Sequence, residues 1–73
     1  MTNPKKVKWS VKAIKLSKYH YRAVFEVGVQ GFTLADEELP KGSSQTEILE
    51  AKEHCEFIAE MFKKALGRLG VTA

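Results

Sequence analysis

Nucleophiles, acid–base pairs and metal centres are built mostly from histidine, cysteine and carboxylate side chains, so these residues are the first to read for chemistry. The chain has two histidines, His20 and His54, well separated in sequence, and one cysteine, Cys55. Although Cys55 adjoins His54, neighbours on a helix project about 100° apart and do not meet at the ~3 Å that a nucleophile–base pair needs. Cys55 also falls inside an apolar stripe, where a free cysteine acts as a small buried hydrophobe. Glu50, Glu53, Glu56 and Glu60 recur at helical spacing and describe a solvated acidic face. None of the usual ligand spacings for zinc or calcium is present. Gly28, Gly31 and Gly42 match neither GxGxxG nor GxxxxGK[ST], so no phosphate-cradling loop is indicated. The sequence therefore predicts no catalytic residue, no cofactor and no metal, and a chain that is not an enzyme.

Charge is the more informative feature. The net charge of +3 conceals an uneven distribution. Residues 1–22 hold Lys5, Lys6, Lys8, Lys12, Lys15, Lys18 and Arg22 and no acid, a local charge of +7; the remainder holds five bases against nine acids, −4. Positive charge with reach is what nucleic-acid phosphates select for, with no particular motif required. Lys6, Lys8, Lys12, Lys18 and Arg22 are accordingly the candidate nucleic-acid-binding residues. Lysines on a sheet also keep edge strands from pairing with other chains, which is a purely structural use for the same residues.

The elements that must position these side chains follow from periodicity. Asn3-Pro4 and the lack of an apolar anchor predict a flexible arm over 1–5. Strands are expected over 7–16, 19–29 and 32–35. In the first, Val7, Trp9, Val11 and Ala13 share one face, and a β-bulge near Lys12-Ala13 would return Ile14 and Leu16 to it. With a turn at Ser17-Lys18, that register sets Trp9 opposite Phe25, Val7 opposite Val27 and Lys8 opposite Glu26. Gln30-Gly31 reads as the second turn, and Gly28 as a bulge or an earlier turn. Asp36 to Ser43 reads as a loop anchored by Leu39. Ser44 and Glu47 form a capping box that opens a helix over 45–66, with Ile48, Ala51, Cys55, Ile58, Phe62, Ala65 and Leu69 along its apolar stripe. The fold class is α+β: an N-terminal three-stranded antiparallel sheet packed against one long C-terminal helix, forming a single domain over 1–73. Trp9, Phe25, Ile58 and Phe62 are expected to share its core.

This order resembles the arm-binding N-terminal domain of phage-type tyrosine integrases, with Tyr21-Arg22-Ala23 on a strand and Glu50-Ala51-Lys52 in the helix. It is also similar to the latter part of a double-stranded RNA-binding domain, with Phe25-Glu26-Val27 as a strand and Gly42-Ser43-Ser44 through Ala51-Lys52 as the helix start. Both resemblances imply a sheet-and-helix fold that meets DNA or RNA, and both are used as fold analogies without family membership. Leu49, Phe57 and Met61 lie off the centre of the apolar stripe, which predicts a helix-mediated homodimer interface. The alternative to nucleic-acid binding is thus a homodimeric interaction module, or a small phage- or plasmid-type regulatory protein whose lysines meet an acidic partner. The longest apolar run is three residues, Ala23-Val24-Phe25, so no membrane segment is expected. The lone thiol and the lack of a signal-peptide pattern predict a reducing, cytoplasmic location.

Overall fold

The computed structural model describes residues 8–70, and within them the chain forms β1 (Trp9–Ser17), β2 (His20–Val27), β3 (Gln30–Glu38) and α1 (Gln45–Arg68). The strands make one antiparallel sheet in the order β1-β2-β3, and α1 packs against it, the β-β-β-α arrangement expected. The arm over 1–5, Lys6 and Val7 lie outside the described residues, and the expected pairing of Val27 with Val7 does not hold because Val27 pairs with Trp9. None of the helices described is long and apolar enough to cross a membrane.

The first turn differs from expectation and the second takes the earlier position at Gly28, and backbone stereochemistry explains both. The first occupies Lys18 and Tyr19, with Ser17 opposite His20. Among the described residues no non-glycine residue adopts a positive φ, so this turn lacks the left-handed residues that let a two-residue hairpin follow strand twist. An irregularity between Lys15 and Ser17 absorbs the mismatch next to the turn, so the bulge does not fall at Lys12-Ala13. The second turn is Gly28-Val29, the earlier turn that Gly28 offered, and not Gln30-Gly31: Gly28 takes a φ of 60°, where a two-residue turn wants glycine first.

These turns set the register. Trp9 pairs with Val27, Val11 with Phe25 and Ala13 with Ala23, a displacement of two residues from the expected pairing. Because side chains alternate with period two, a slip of two preserves the inward face, and Trp9, Val11, Tyr21, Ala23 and Phe25 still face the helix. Ser10, not Lys8, stands opposite Glu26. Ile14 pairs with Arg22 and so joins the open face; Leu16 is left unpaired and is 44% exposed. β3 runs well past the expected 32–35, because Asp36, Glu37 and Glu38 pair with Arg22, Tyr21 and His20 of β2 and do not form a loop. A second irregularity between Ala23 and Val24 leaves Leu34 as the extra residue of β3, packed against the core.

The core is built on small side chains. Ala51, Cys55 and Ala59 of α1 are buried with Val11, Tyr21 and Ala23 of the sheet, and Ala23 and Cys55 have no exposed surface. Helical spacing of 4 and 4 places those three helix residues in one row, and their size lets the helix backbone approach the sheet closely. Aromatic packing fills the end away from the first turn: the Phe25 ring lies 6.3 Å from Trp9, 6.0 Å from Phe32 and 5.0 Å from Phe62. Ile48 and Leu39 cover the opposite end, where the Leu39 N–H donates to the Tyr19 carbonyl at 2.7 Å.

The helix begins where the capping box predicts. The Ser44 hydroxyl accepts from the Glu47 N–H at 3.2 Å, and the Glu47 carboxylate accepts from the Ser44 N–H at 2.8 Å. It ends at Arg68, two residues beyond the expected 66, with Gly70 at a φ of 82° beyond the Leu69 cap. Close helix–sheet contact leaves no room for a larger residue at its centre. Ala23→Leu should therefore cost about 1–3 kcal/mol in urea unfolding; a neutral or stabilising effect would contradict the seam described.

Candidate functional site

Which charges share a surface is decided by strand parity. On the open face of the sheet, β1 presents Lys12, β2 presents His20, Arg22 and Glu26, and β3 presents Asp36 and Glu38. Opposite signs meet there. Lys12 Nζ lies 3.3 Å from Glu26 Oε1, and Arg22 Nε donates to Asp36 Oδ1 at 2.9 Å. Two of the five candidate nucleic-acid-binding residues, Lys12 and Arg22, thus have carboxylate partners within the sheet. Lys8 is exposed just before β1, and Lys18 at the first turn places its Nζ 5.5 Å from the centre of the Tyr19 ring. Lys6 lies outside the described residues.

On the helix side, the first turns of α1 separate lysines on the β1 flank from glutamates on the β3 flank, while farther along Glu56, Glu60 and Lys63 border β1 together. β3 ends beside the first turn because His20 pairs with Glu38, and the short connection to Ser44 then starts α1 at that same end. The first turns of α1 therefore lie over the end of the β1–β2 hairpin. Lys15, facing inward opposite Tyr21, joins Lys18 and Lys52 around a cleft of about 470 Å³. Ile48, Leu49 and Tyr21 supply its apolar wall, and Gln45 and Thr46 bring the positive end of the helix dipole to its rim. Among the described residues, no carboxylate comes within 4.0 Å of Lys15, Lys18 or Lys52.

Across the helix, the β3 flank is acidic. Glu37, Glu47 and Glu50 border a second depression with His54, whose Nδ1 lies 2.7 Å from Glu37 Oε2. Cys55 is buried beneath the helix, and its thiol is pushed up from its ordinary value by burial and then by the nearby Glu37 and Asp36 carboxylates. His54 thus turns to Glu37 at the surface while Cys55 faces the sheet.

Neither Lys15 nor Lys52 is among the site residues that charge in the sequence indicates. A signal for them existed: antiparallel pairing of β2 and β3 plus a short connection requires the helix start to sit by the first turn, and Lys52 lies one step from Ile48 and Cys55 on the helix surface. Of the expected dimer residues, Leu49 belongs to the wall of the basic cleft. Phe57 and Met61 stand on the side of α1 turned from the sheet, 59% and 45% exposed.

The β2–β3 register also assembles a set of potential ligands that sequence spacing hides. His20, Asp36 and Glu38 bring one ligand atom each to within 4.8 Å of one another. His20 Nε2 and Asp36 Oδ1 are 2.7 Å apart. Comparison of the chain with known protein families, curated proteins and solved structures finds no match.

The hydrogen bond from Arg22, and then that with His20, holds the Asp36 carboxyl below its usual range. A depressed carboxyl contributes stability that is present above its unfolded value, about pH 3.9, and is lost as pH falls through the folded value. Asp36→Asn should lower the urea midpoint at pH 7, and the gap from the parent chain should close under acid. A gap that stays constant down to pH 2 would show that the carboxylate charge is not what Arg22 and His20 hold.

Proposed function

We propose that this chain is a small non-enzymatic domain that binds nucleic acid through the β1–α1 flank, with Lys15, Lys18 and Lys52 contacting phosphates. The observation that carries the reading is the segregation of charge around the first turns of α1: Lys15, Lys18 and Lys52, with no carboxylate within 4.0 Å among the described residues, on one flank and Glu37, Glu47 and Glu50 on the other, with Glu56 and Glu60 reaching the β1 side only farther along the helix. Such an arrangement draws a polyanion to one side and repels it from the opposite one, which orients the domain without any base-specific contact. The open face is less suited to this, since Glu26 and Asp36 already offset Lys12 and Arg22.

Each phosphate contact releases counterions and contributes a slope of about 0.9 to the logarithmic dependence of affinity on salt. Affinity for random duplex DNA should fall steeply between about 50 and 200 mM salt. Lys15→Gln, Lys18→Gln and Lys52→Gln should each reduce the slope by about one unit, with Lys12→Gln changing it little. Equal effects at Lys12 and Lys52 would move the contact to the open face, and no retention at 50 mM salt would remove the reading altogether.

A second reading rests on the exposed Phe57 and Met61 of α1, which suit a helix-mediated homodimer. Light scattering distinguishes the two. Dimerisation that Phe57→Ser abolishes, with no salt-dependent binding to nucleic acid, would favour the dimer module; a monomer that binds duplex would favour the first reading.

A further inference from the structure

The open face carries a cluster that neither reading uses. His20 and Glu38 are direct cross-strand partners, and Asp36 is two residues from Glu38 on the same strand and the same face. All three side chains are therefore placed by the backbone hydrogen bonds of the sheet and not by a mobile loop. Their ligand atoms already lie within 4.8 Å of one another, and the His20 side chain is only 18% exposed, oriented by its contact with Asp36.

We propose that His20, Asp36 and Glu38 form a binding site for a borderline divalent transition-metal ion of the zinc type. An imidazole nitrogen at ~2.0–2.1 Å and carboxylate oxygens at ~2.0–2.2 Å around one ion lie roughly 3.4 Å from each other in tetrahedral geometry. The 2.7 Å contact of His20 with Asp36 has to open by less than an ångström, and Glu38, exposed and unbranched, has to close the rest. One nitrogen and two oxygens with no thiolate suit zinc and its neighbours better than copper(I), and the imidazole disfavours magnesium and calcium, which take oxygen ligands. The two carboxylates balance the charge of the ion. Arg22 is the competing cation; its Nε donates at 2.9 Å to the same Asp36 Oδ1 that lies beside His20, so a bound ion has to share that oxygen with the guanidinium or displace it. Three protein ligands leave a further position for solvent. A bound ion would tie β2 to β3 next to the connection leading to α1, a staple of the kind that benefits a domain this small.

The test is calorimetric titration of the full untagged chain, freed of metal with chelator, using zinc chloride alone, with magnesium chloride in parallel. Imidazole resonances are followed by NMR. One equivalent of zinc should bind, shift the His20 ring resonances and not those of His54, and raise the melting midpoint, whereas magnesium should do none of these. Loss of an outer-shell partner commonly weakens a metal site by about 10–100-fold, so His20→Ala and Glu38→Gln should each weaken zinc binding at least about tenfold. Glu38→Gln keeps the shape of an exposed side chain and guards against loss of fold in the histidine variant. Absence of heat and of shifts at millimolar zinc would overturn the proposal. So would binding that survives in His20→Ala but disappears in His54→Ala, since it would place the ion on the Glu37 flank.

Discussion

Close approach of one helix to one sheet, through Ala51, Cys55 and Ala59 on Val11, Tyr21 and Ala23, is the constraint on which the other features of this molecule depend. Small residues at the seam give up hydrophobic area per side chain but gain contact between backbones, and the larger rings of Trp9, Phe25 and Phe62 then pack at one end only. A chain of this size has little core to spare, so the helix cannot roll about its axis without exposing Cys55 or burying charge. The same contact determines that Lys52 falls on the β1 side of the helix and His54 on the β3 side.

From that placement follows the electrical character of the surface. The basic N-terminal third does not act as a uniform patch, because strand parity divides its side chains between two faces. Lys12 and Arg22 meet Glu26 and Asp36 on the open face, and Lys15 points the other way, toward Lys52. Exposed ion pairs of this kind add little to stability, but they remove free charge from one face and leave it on the other. Of the two functional readings, nucleic-acid binding draws on this asymmetry and the helix dimer on Phe57 and Met61.

Period-two alternation and the capping box made the fold class legible in the sequence, together with the shared core of Trp9, Phe25, Ile58 and Phe62. The bulge position was not legible, because apolar pairing alone rewards several registers that keep the same face inward. What decides among them is the turn, where Lys18-Tyr19 has no left-handed residue and Gly28 has one. The acidic run Asp36-Glu37-Glu38 resembles a loop by composition and becomes a strand because His20, Tyr21 and Arg22 lie across from it. The loop-like composition also hides the His20, Asp36 and Glu38 cluster, which the extension of β3 brings together. Charge alone singles out Lys6, Lys8, Lys12, Lys18 and Arg22, and charge does not report which bases have carboxylate neighbours.

Proton–proton contacts in the isotopically labelled chain address the seam itself. Strong nuclear Overhauser effects should join Ala51, Cys55 and Ala59 to Val11, Tyr21 and Ala23, with none from Phe57 or Glu53 to the sheet. Cross-peaks from Phe57 to Val11 or Ala23, with Cys55 silent toward β2, would mean that the helix presents another face to the sheet, and the assignment of Lys15, Lys18 and Lys52 to one flank would fall with it.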